Sequence, residues 1–316
     1  IVGGTSADTT TVDTPQRPTR AFEDELLKKE IDSAARSLAI GLSVIIDGEP
    51  GTGKTELARK IHDEAFDNSN LTMIDCRLLT ADNFESYLFG DDGMIGFFDP
   101  EPGAKSKGKL PLARGGSVLF RNAHTLDKAI QSRISDVIAF EDERRRDGTT
   151  PVIAGWLFVG PKSWMDDPEF DIAPAFSNSI DGKTVTAPPL SQRSDFHKVA
   201  SAIIADISQD HSLSPVALSI LQAESWPGNL KQLRKTIQHA VAQAGGKVIR
   251  QDIQNVLQSF ARDGITACPQ CIGSPVREET CIMIRRTWRD TGGNVSLVAR
   301  RLGVSRNTVY KHVREA

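Results

Sequence analysis

The stretch GEPGTGKT (48–55) limits the fold of this 316-residue chain more than any other. It has the form G-x-x-x-x-G-K-[ST], and it lies between an apolar run, LSVIID (42–47), and a segment with helical spacing, ELARKIHDEAF (56–66). A strand, a glycine-rich turn and a helix in that order aim backbone N–H groups and a helix N-terminus at one point, where a phosphate fits. Gly48, Glu49, Pro50, Gly51, Thr52 and Gly53 would form the cradle, Lys54 would reach the β- and γ-phosphates, and the Thr55 hydroxyl would hold Mg²⁺. A glycine-rich turn can match this pattern by chance, but the flanking strand and helix favour nucleotide binding.

Strands and helices alternate on both sides of the loop. From Ala21, AFEDELLKKEIDSAARSLAIG repeats apolar positions at helical spacing, and Gly41 closes it. LTMID (71–75), SVLF (117–120) and WLFVG (156–160) are short β-rich runs separated by helical stretches. That order predicts an α/β fold with a parallel sheet. After APPLSQRSD (187–195) the strand signal stops. FHKVASAIIADISQDHS, SPVALSILQAES, NLKQLRKTIQHAVAQAG and QDIQNVLQSFARD read as helices bounded by Pro and Gly. The expected division is a disordered, Thr-, Asp- and Pro-rich leader (1–20), an α/β core (21–186), a helical unit (187–263), a linker (264–276) and a small helical module (277–316).

Several classes are excluded at once. No run approaches the ~18–20 apolar residues of a membrane helix, and no secretory n-region and h-region open the chain. Four Cys make no disulfide framework, so a reducing, cytoplasmic setting is expected. Ile1 in place of Met suggests a fragment or a trimmed form. The opening IVGG looks like an activated trypsin-like protease, but no Ser nucleophile in a glycine-rich turn accompanies it.

The C-terminal module reads as a helix-turn-helix on its own residues. NVSLVARRL has Val295, Val298, Ala299 and Leu302 on one side, Gly303 supplies a tight turn, and Ser305 is a good N-cap for RNTVYKHVRE. Val309 and Val313 point inward at i,i+4, which leaves Arg306, Asn307, Thr308, Tyr310, Lys311 and Arg314 for solvent or DNA. Arg306, Asn307 and Thr308, at the N-terminus of the second helix, would read base edges, and Arg300, Arg301 and Lys311 would hold phosphates. A solvated polar face is the alternative, and the turn geometry with its basic cluster weighs against it.

Taken together, these segments resemble the AAA+ domain of bacterial enhancer-binding proteins, the activators of sigma-54 RNA polymerase. The resemblance rests on the phosphate loop, ESYLFG (85–90), RGGSVLF (114–120), PPLSQRSD (188–195), WPGNLKQL (226–233) and the Fis-type helix-turn-helix, and it spans roughly residues 22–316. It implies an AAA+ core, a helical lid over 187–263, ATP or ADP as cofactor with Lys231 in place of the lid arginine, and assembly with other copies. It also exposes departures. Where the family carries the Asp-Glu pair that positions Mg²⁺ and activates water, this chain reads Arg121-Asn122. The arginine-finger segment reads FDIAPAFSN with Asp171 and Ser177 in those places, the strand AGWLFVGP lacks the polarising Asn, and no GAFTGA loop follows ESYLFG. No catalytic residue is therefore assigned.

Other signals are weaker. Cys268-Pro-Gln-Cys271 is a lone C-x-x-C, with Cys281 ten residues on and no His beside it; no metal is assigned, since zinc needs four ligands. EDERRRDG (141–148) reads as a solvated helix end, and KSKGK (105–109) as an exposed loop. The formal charge of −3 argues mildly against nucleic acid until it is divided. Residues 277–316 hold nine Lys/Arg and four acids, a surplus of five positive charges on an otherwise acidic chain.

The expectation is a nucleoid-associated regulator that binds a double-stranded DNA operator as a dimer or higher oligomer, independently of sigma-54, with RNA polymerase as a further partner and no membrane contact. ATP, ADP or a cyclic dinucleotide would bind the core and shift assembly. The alternative is a working, sigma-54-dependent ATPase.

Overall fold

The computed structural model describes residues 24–67, 69–91, 93–99, 108–248, 250–261, 268, 270–271, 275–291 and 293–313. The expected leader, 1–20, and Arg314 lie outside them.

Helix α1 (Glu25–Ala39) starts at Asp24, whose carboxylate accepts from the N–H groups of Leu26 and Leu27 at 3.1 and 3.0 Å. Next come β1 (Ser43–Gly48), α2 (Lys54–Ala65) and β2 (Leu71–Asp75). Three short helices, α3 (Phe84–Phe89), α4 (Gly93–Phe98) and α5 (Lys109–Leu112), lead to β3 (Ser117–Arg121). Helix α6 (Lys128–Arg146), β4 (Gly155–Val159), α7 (Pro174–Ser179) and β5 (Gly182–Ala187) complete the unit. The five strands pair in parallel in the order β2-β3-β4-β1-β5. Such a sheet must be covered on both faces, and the side chains divide accordingly. Val118, Phe120, Trp156 and Phe158 face α3, α6 and α7, with Phe120 stacked on Phe158 at 5.2 Å. Val44, Ile46, Leu119, Leu157 and Val185 face α1 and α2.

Two sequence expectations change here. Strand β5 is an edge strand in which only Val185 and Ala187 are buried, so GKTVTA lacks the apolar run by which the other strands announce themselves. The EDERRRDG segment is not simply solvated. Glu141 is fully buried, and its carboxylate accepts from the backbone N–H groups of Val152 and Ile153 at 2.9–3.1 Å. Arg145 donates to the carbonyls of Ile153 and Ala154. The end of α6 thereby holds the loop that enters β4.

A second unit follows, built from α8 (Phe196–Ile207), β6 (Ser212–Leu213), α9 (Pro215–Ala223), α10 (Asn229–Gln243), β7 (Lys247–Val248) and α11 (Arg250–Ala261). Its core joins Phe196, Leu221, Trp226, Leu233, Ile237 and Ile253. The two-residue pair β6–β7 lies within the helical unit, too short to leave a pattern in the sequence. The last unit is α12 (Pro275–Asp290), α13 (Val295–Leu302) and α14 (Arg306–Val313), closed around Ile284, Val298, Ala299, Val309 and Val313. Among the described residues, no helix is long and apolar enough to cross a membrane. The architecture is an AAA+ parallel-sheet core with a helical lid and a C-terminal helix-turn-helix.

Candidate functional site

The carboxyl ends of the strands in an open parallel sheet are where ligands bind, and the phosphate loop leaves the end of β1 there. Gly51 and Gly53 have φ of 81° and 90°, and Gly53 is the N-cap of α2. Left-handed backbone at these positions turns the loop inward. Lys54 donates to the carbonyls of Gly48 and Glu49 at 2.6 and 2.7 Å, so its ammonium rests inside the loop where phosphate oxygens would lie. Burial lowers its pKa to about 8 against the pull of Asp47 and Glu49. Thr52 closes the loop by donating to the Glu49 carbonyl at 3.0 Å.

The lid sits directly on this loop. A Cβ on Gly51 would come within 2.2 Å of the Gly228 carbonyl, and Lys231 N–H donates to the Gly51 carbonyl at 3.3 Å. Asn229, buried and with φ of 49°, is the joint. Its amide N–H₂ donates to Glu49 Oε2 and the Pro50 carbonyl at 3.1 Å each, and its oxygen accepts from Leu190 N–H at 2.7 Å. WPGN thus fastens the start of α10 to the cradle. Sequence reasoning marked the motif but did not place Asn229 in the site.

Between loop and lid lies a cavity of about 480 Å³. Lys54, Thr55 and Lys231 line it, as expected, and so do Arg121, Arg193 and Arg234. The last two come from the start and the third helix of the lid, and nothing in the spacing of one sequence relates them to the loop. Arg193 is ion-paired with Asp195 at 2.6 Å, and Arg234 with Asp206. Val199, Ala202, Ile203 and Leu230 form the apolar part of the wall. The basic lining suits a polyphosphate, and the apolar wall suits a base.

The lining suits a metal-activated hydrolysis less well. Asp75 and Arg121 are register partners at the ends of β2 and β3, and Arg121 and Asn122 both line the cavity. Asn122, at φ 59°, donates to Asp75 Oδ1 at 3.0 Å. Arg77 pairs with the same carboxylate at 2.5 Å. Burial pushes Asp75 up, but Arg77 and Asn122 outweigh it and hold the pKa at about 2. That carboxylate is therefore already occupied. The acids in the lining are Glu56 and Asp206, the latter paired with Arg234. Burial, then the charges of Lys54 and Arg77, lower the pKa of His124 to about 4, so it is no base poised near neutrality.

Other positions noted in the sequence lie elsewhere. Asp171 is on the surface, paired with Lys128 at 2.8 Å, and Ser177 lies in α7. Helix α4 occupies part of the stretch where the GAFTGA loop would stand, with Ile95 84% exposed. Of KSKGK, only Gly108 and Lys109 are among the described residues, and they are not an exposed loop: Gly108 is buried at the cap of α5, which Lys109 begins.

In the C-terminal unit, Gly303 has φ of 69° and caps α13 through its N–H to the Ala299 carbonyl at 2.9 Å. Ser305 caps α14, accepting from Thr308 N–H at 3.0 Å. The Thr308 hydroxyl lies 2.9 Å from that of Ser305, so both hydroxyls take part in the cap. Arg300, Arg301, Arg306, Asn307, Tyr310 and Lys311 are exposed.

Comparison with known proteins agrees with this arrangement. Residues 21–152 match the Sigma-54 interaction domain, 191–264 the AAA+ ATPase lid domain, and 276–315 the Fis family of bacterial regulatory proteins. The acetoin catabolism regulatory protein of Cupriavidus necator is 26% identical over 307 residues, covering 92% of this chain and 46% of that protein. The hydrogenase transcriptional regulatory protein HoxA of the same organism is 30% identical over 69% of this chain and 46% of its own length. The chain thus spans about half the length of these relatives. Among solved structures, NtrX from Brucella abortus in complex with ATP superposes with a TM-score of 0.54 at 20% identity, over 92% of this chain and 66% of that one. The Thermotoga maritima RuvB Holliday junction branch migration motor gives 0.51 at 15%, over 90% and 83%. At those identities the superpositions speak for the fold alone. The three matched regions together give the chain the domain set of a bacterial enhancer-binding protein of the sigma-54 activator type.

Proposed function

We propose that this chain is a sequence-specific DNA-binding transcriptional regulator whose AAA+ unit binds ATP or ADP, does not hydrolyse it, and acts independently of sigma-54. The observation that carries this is the end of β3, where Arg121 and Asn122 line the nucleotide cavity in place of an Asp-Glu pair. A cation there cannot hold Mg²⁺, and an amide cannot take a proton from water. The rest of the cavity is kept: the loop, Lys54 and the lid cations would hold the phosphates, and the apolar wall of α8 would hold the base. NtrX, of the same fold, has been crystallised with ATP and with ADP.

In this reading the division is core 21–186, lid 187–263, linker 264–276 and DNA-binding unit 277–316. Nucleotide bound across the loop and the WPGN joint favours one lid position over another, and through it one state of assembly. A cyclic dinucleotide is a second candidate for the same basic cavity. Paired helix-turn-helix units on an oligomer would meet spaced half-sites. Arg306 and Asn307 would read bases, and Arg300, Arg301 and Lys311 would hold phosphates; Ser305 and Thr308 contribute through the helix cap. The test is operator binding and oligomer size measured with ATP and with a non-hydrolysable analogue. Equal effects are expected; an effect that needs cleavable ATP would restore the working ATPase.

A further inference from the structure

The linker cysteines and the end of α14 form a cluster that neither nucleotide nor DNA binding uses. Cys268 and Cys271 lie in the turn before α12, Cys281 lies within α12, and all three are buried. The turn is closed by Cys271 N–H donating to the Cys268 carbonyl at 2.9 Å. His312, in the last turn of α14, completes the group. The three sulfurs and one imidazole nitrogen all lie within 4.8 Å of one another. Cys268 Sγ is 3.4 Å from Cys271 Sγ, which is 3.5 Å from His312 Nδ1. Cys268 N–H donates to Cys281 Sγ at 3.2 Å, a bond that favours a thiolate there.

His312 lies 41 positions from Cys271, so no spacing pattern links it to the cysteines. Packing of α14 against α12 brings it in. With Zn–S near 2.3 Å and Zn–N near 2.0–2.1 Å, a tetrahedron spaces its ligand atoms about 3.5–3.8 Å apart. The Cys268–Cys271 and Cys271–His312 separations are close to that, and the remaining pairs lie within 4.8 Å. Three thiolates and an imidazole are a soft donor set that suits zinc and not Mg²⁺ or Ca²⁺. Buried cysteines can also serve as small apolar residues, but that role does not call for four donor atoms converging on one point.

We infer that Cys268, Cys271, Cys281 and His312 form a structural Zn²⁺ site that pins the last turn of the recognition helix to the linker turn and α12. Four protein ligands close the coordination sphere and leave no position for catalysis. Binding releases three thiol protons and changes no oxidation state: Zn²⁺ and three thiols give a tris-thiolate complex with neutral imidazole and three H⁺. The recognition helix would then keep its DNA-binding geometry only when metal is bound.

The test uses the whole chain, purified with zinc under reducing conditions. Elemental analysis should find about one zinc per chain. After removal by chelator, Co²⁺ should give tetrahedral ligand-field bands with thiolate charge transfer. Cys271→Ser and His312→Ala should lose both signals, and Cys76→Ala should keep them. His312→Cys should retain the metal with stronger thiolate charge transfer, which separates loss of a ligand from failure to fold. Zinc far below one per chain with no Co²⁺ bands would overturn the site. So would metal content unmoved by Cys271→Ser and His312→Ala, iron with sulfide in place of zinc, or a Cys268–Cys271 disulfide that persists under reduction.

Discussion

Lys54 is the residue of the phosphate loop whose chemistry can be titrated. Its folded pKa of about 8, set by burial, keeps it charged at neutral pH and lets it lose the proton as pH rises through about 8. ATP affinity should fall over that rise, and Lys54→Ala should lower it at neutral pH and remove the dependence. A hydrogen bond to a charged group contributes about 1.5–3 kcal/mol, so the loss should be about tenfold or more, measured by equilibrium titration. Lys54 was legible because its spacing within GEPGTGKT is itself the signal. Asn229, Arg193 and Arg234 were not, since each reaches the cavity by tertiary packing of the lid. His312 was missed for the same reason: a ligand 41 residues distant leaves no spacing pattern.

The elements differ in how openly they were written. Strands β1, β3 and β4 announced themselves as apolar runs because the parallel sheet buries both their faces, and edge strand β2 kept an apolar run, whereas β5 at the other edge alternates. Glu141 defied its charged surroundings because a buried carboxylate was needed to satisfy backbone N–H groups that no strand or helix pairs. Helix α1 offers a measurable case. Asp24 caps it and also accepts from the Ser194 hydroxyl at 2.6 Å, at the start of the lid. That hydroxyl, then the Leu27 N–H, lowers its pKa to about 2 from 3.8. A depressed carboxylate contributes stability that is present above its unfolded pKa and lost as pH falls toward about 2. Asp24→Ala should cost about 1 kcal/mol in denaturant unfolding at neutral pH, with the gap closing in acid.

At the scale of the whole molecule, charge is divided between an acidic body and a basic C-terminal unit. The net figure of −3 conceals this, and DNA binding through a basic unit depends on salt. Arg306→Ala should cost about 1–3 kcal/mol of operator affinity and relax preference at one base position, while Lys311→Ala should weaken binding evenly across sequences and flatten the salt dependence. Competitive binding assays over a series of salt concentrations would read both.

What the core does for that DNA-binding unit turns on whether it hydrolyses ATP. An arginine finger alone accounts for about 10³–10⁵ in rate, and this cavity holds Arg121 and Asn122 where an acidic pair would act. The most direct measurement is steady-state phosphate release by the assembled chain with saturating Mg²⁺ and ATP, beside Lys54→Ala and with ATP binding measured in parallel. ATP binding that Lys54→Ala weakens about tenfold or more, with turnover no higher in the native chain than in the variant, is expected. Turnover that depends on Lys54 would instead show a working ATPase.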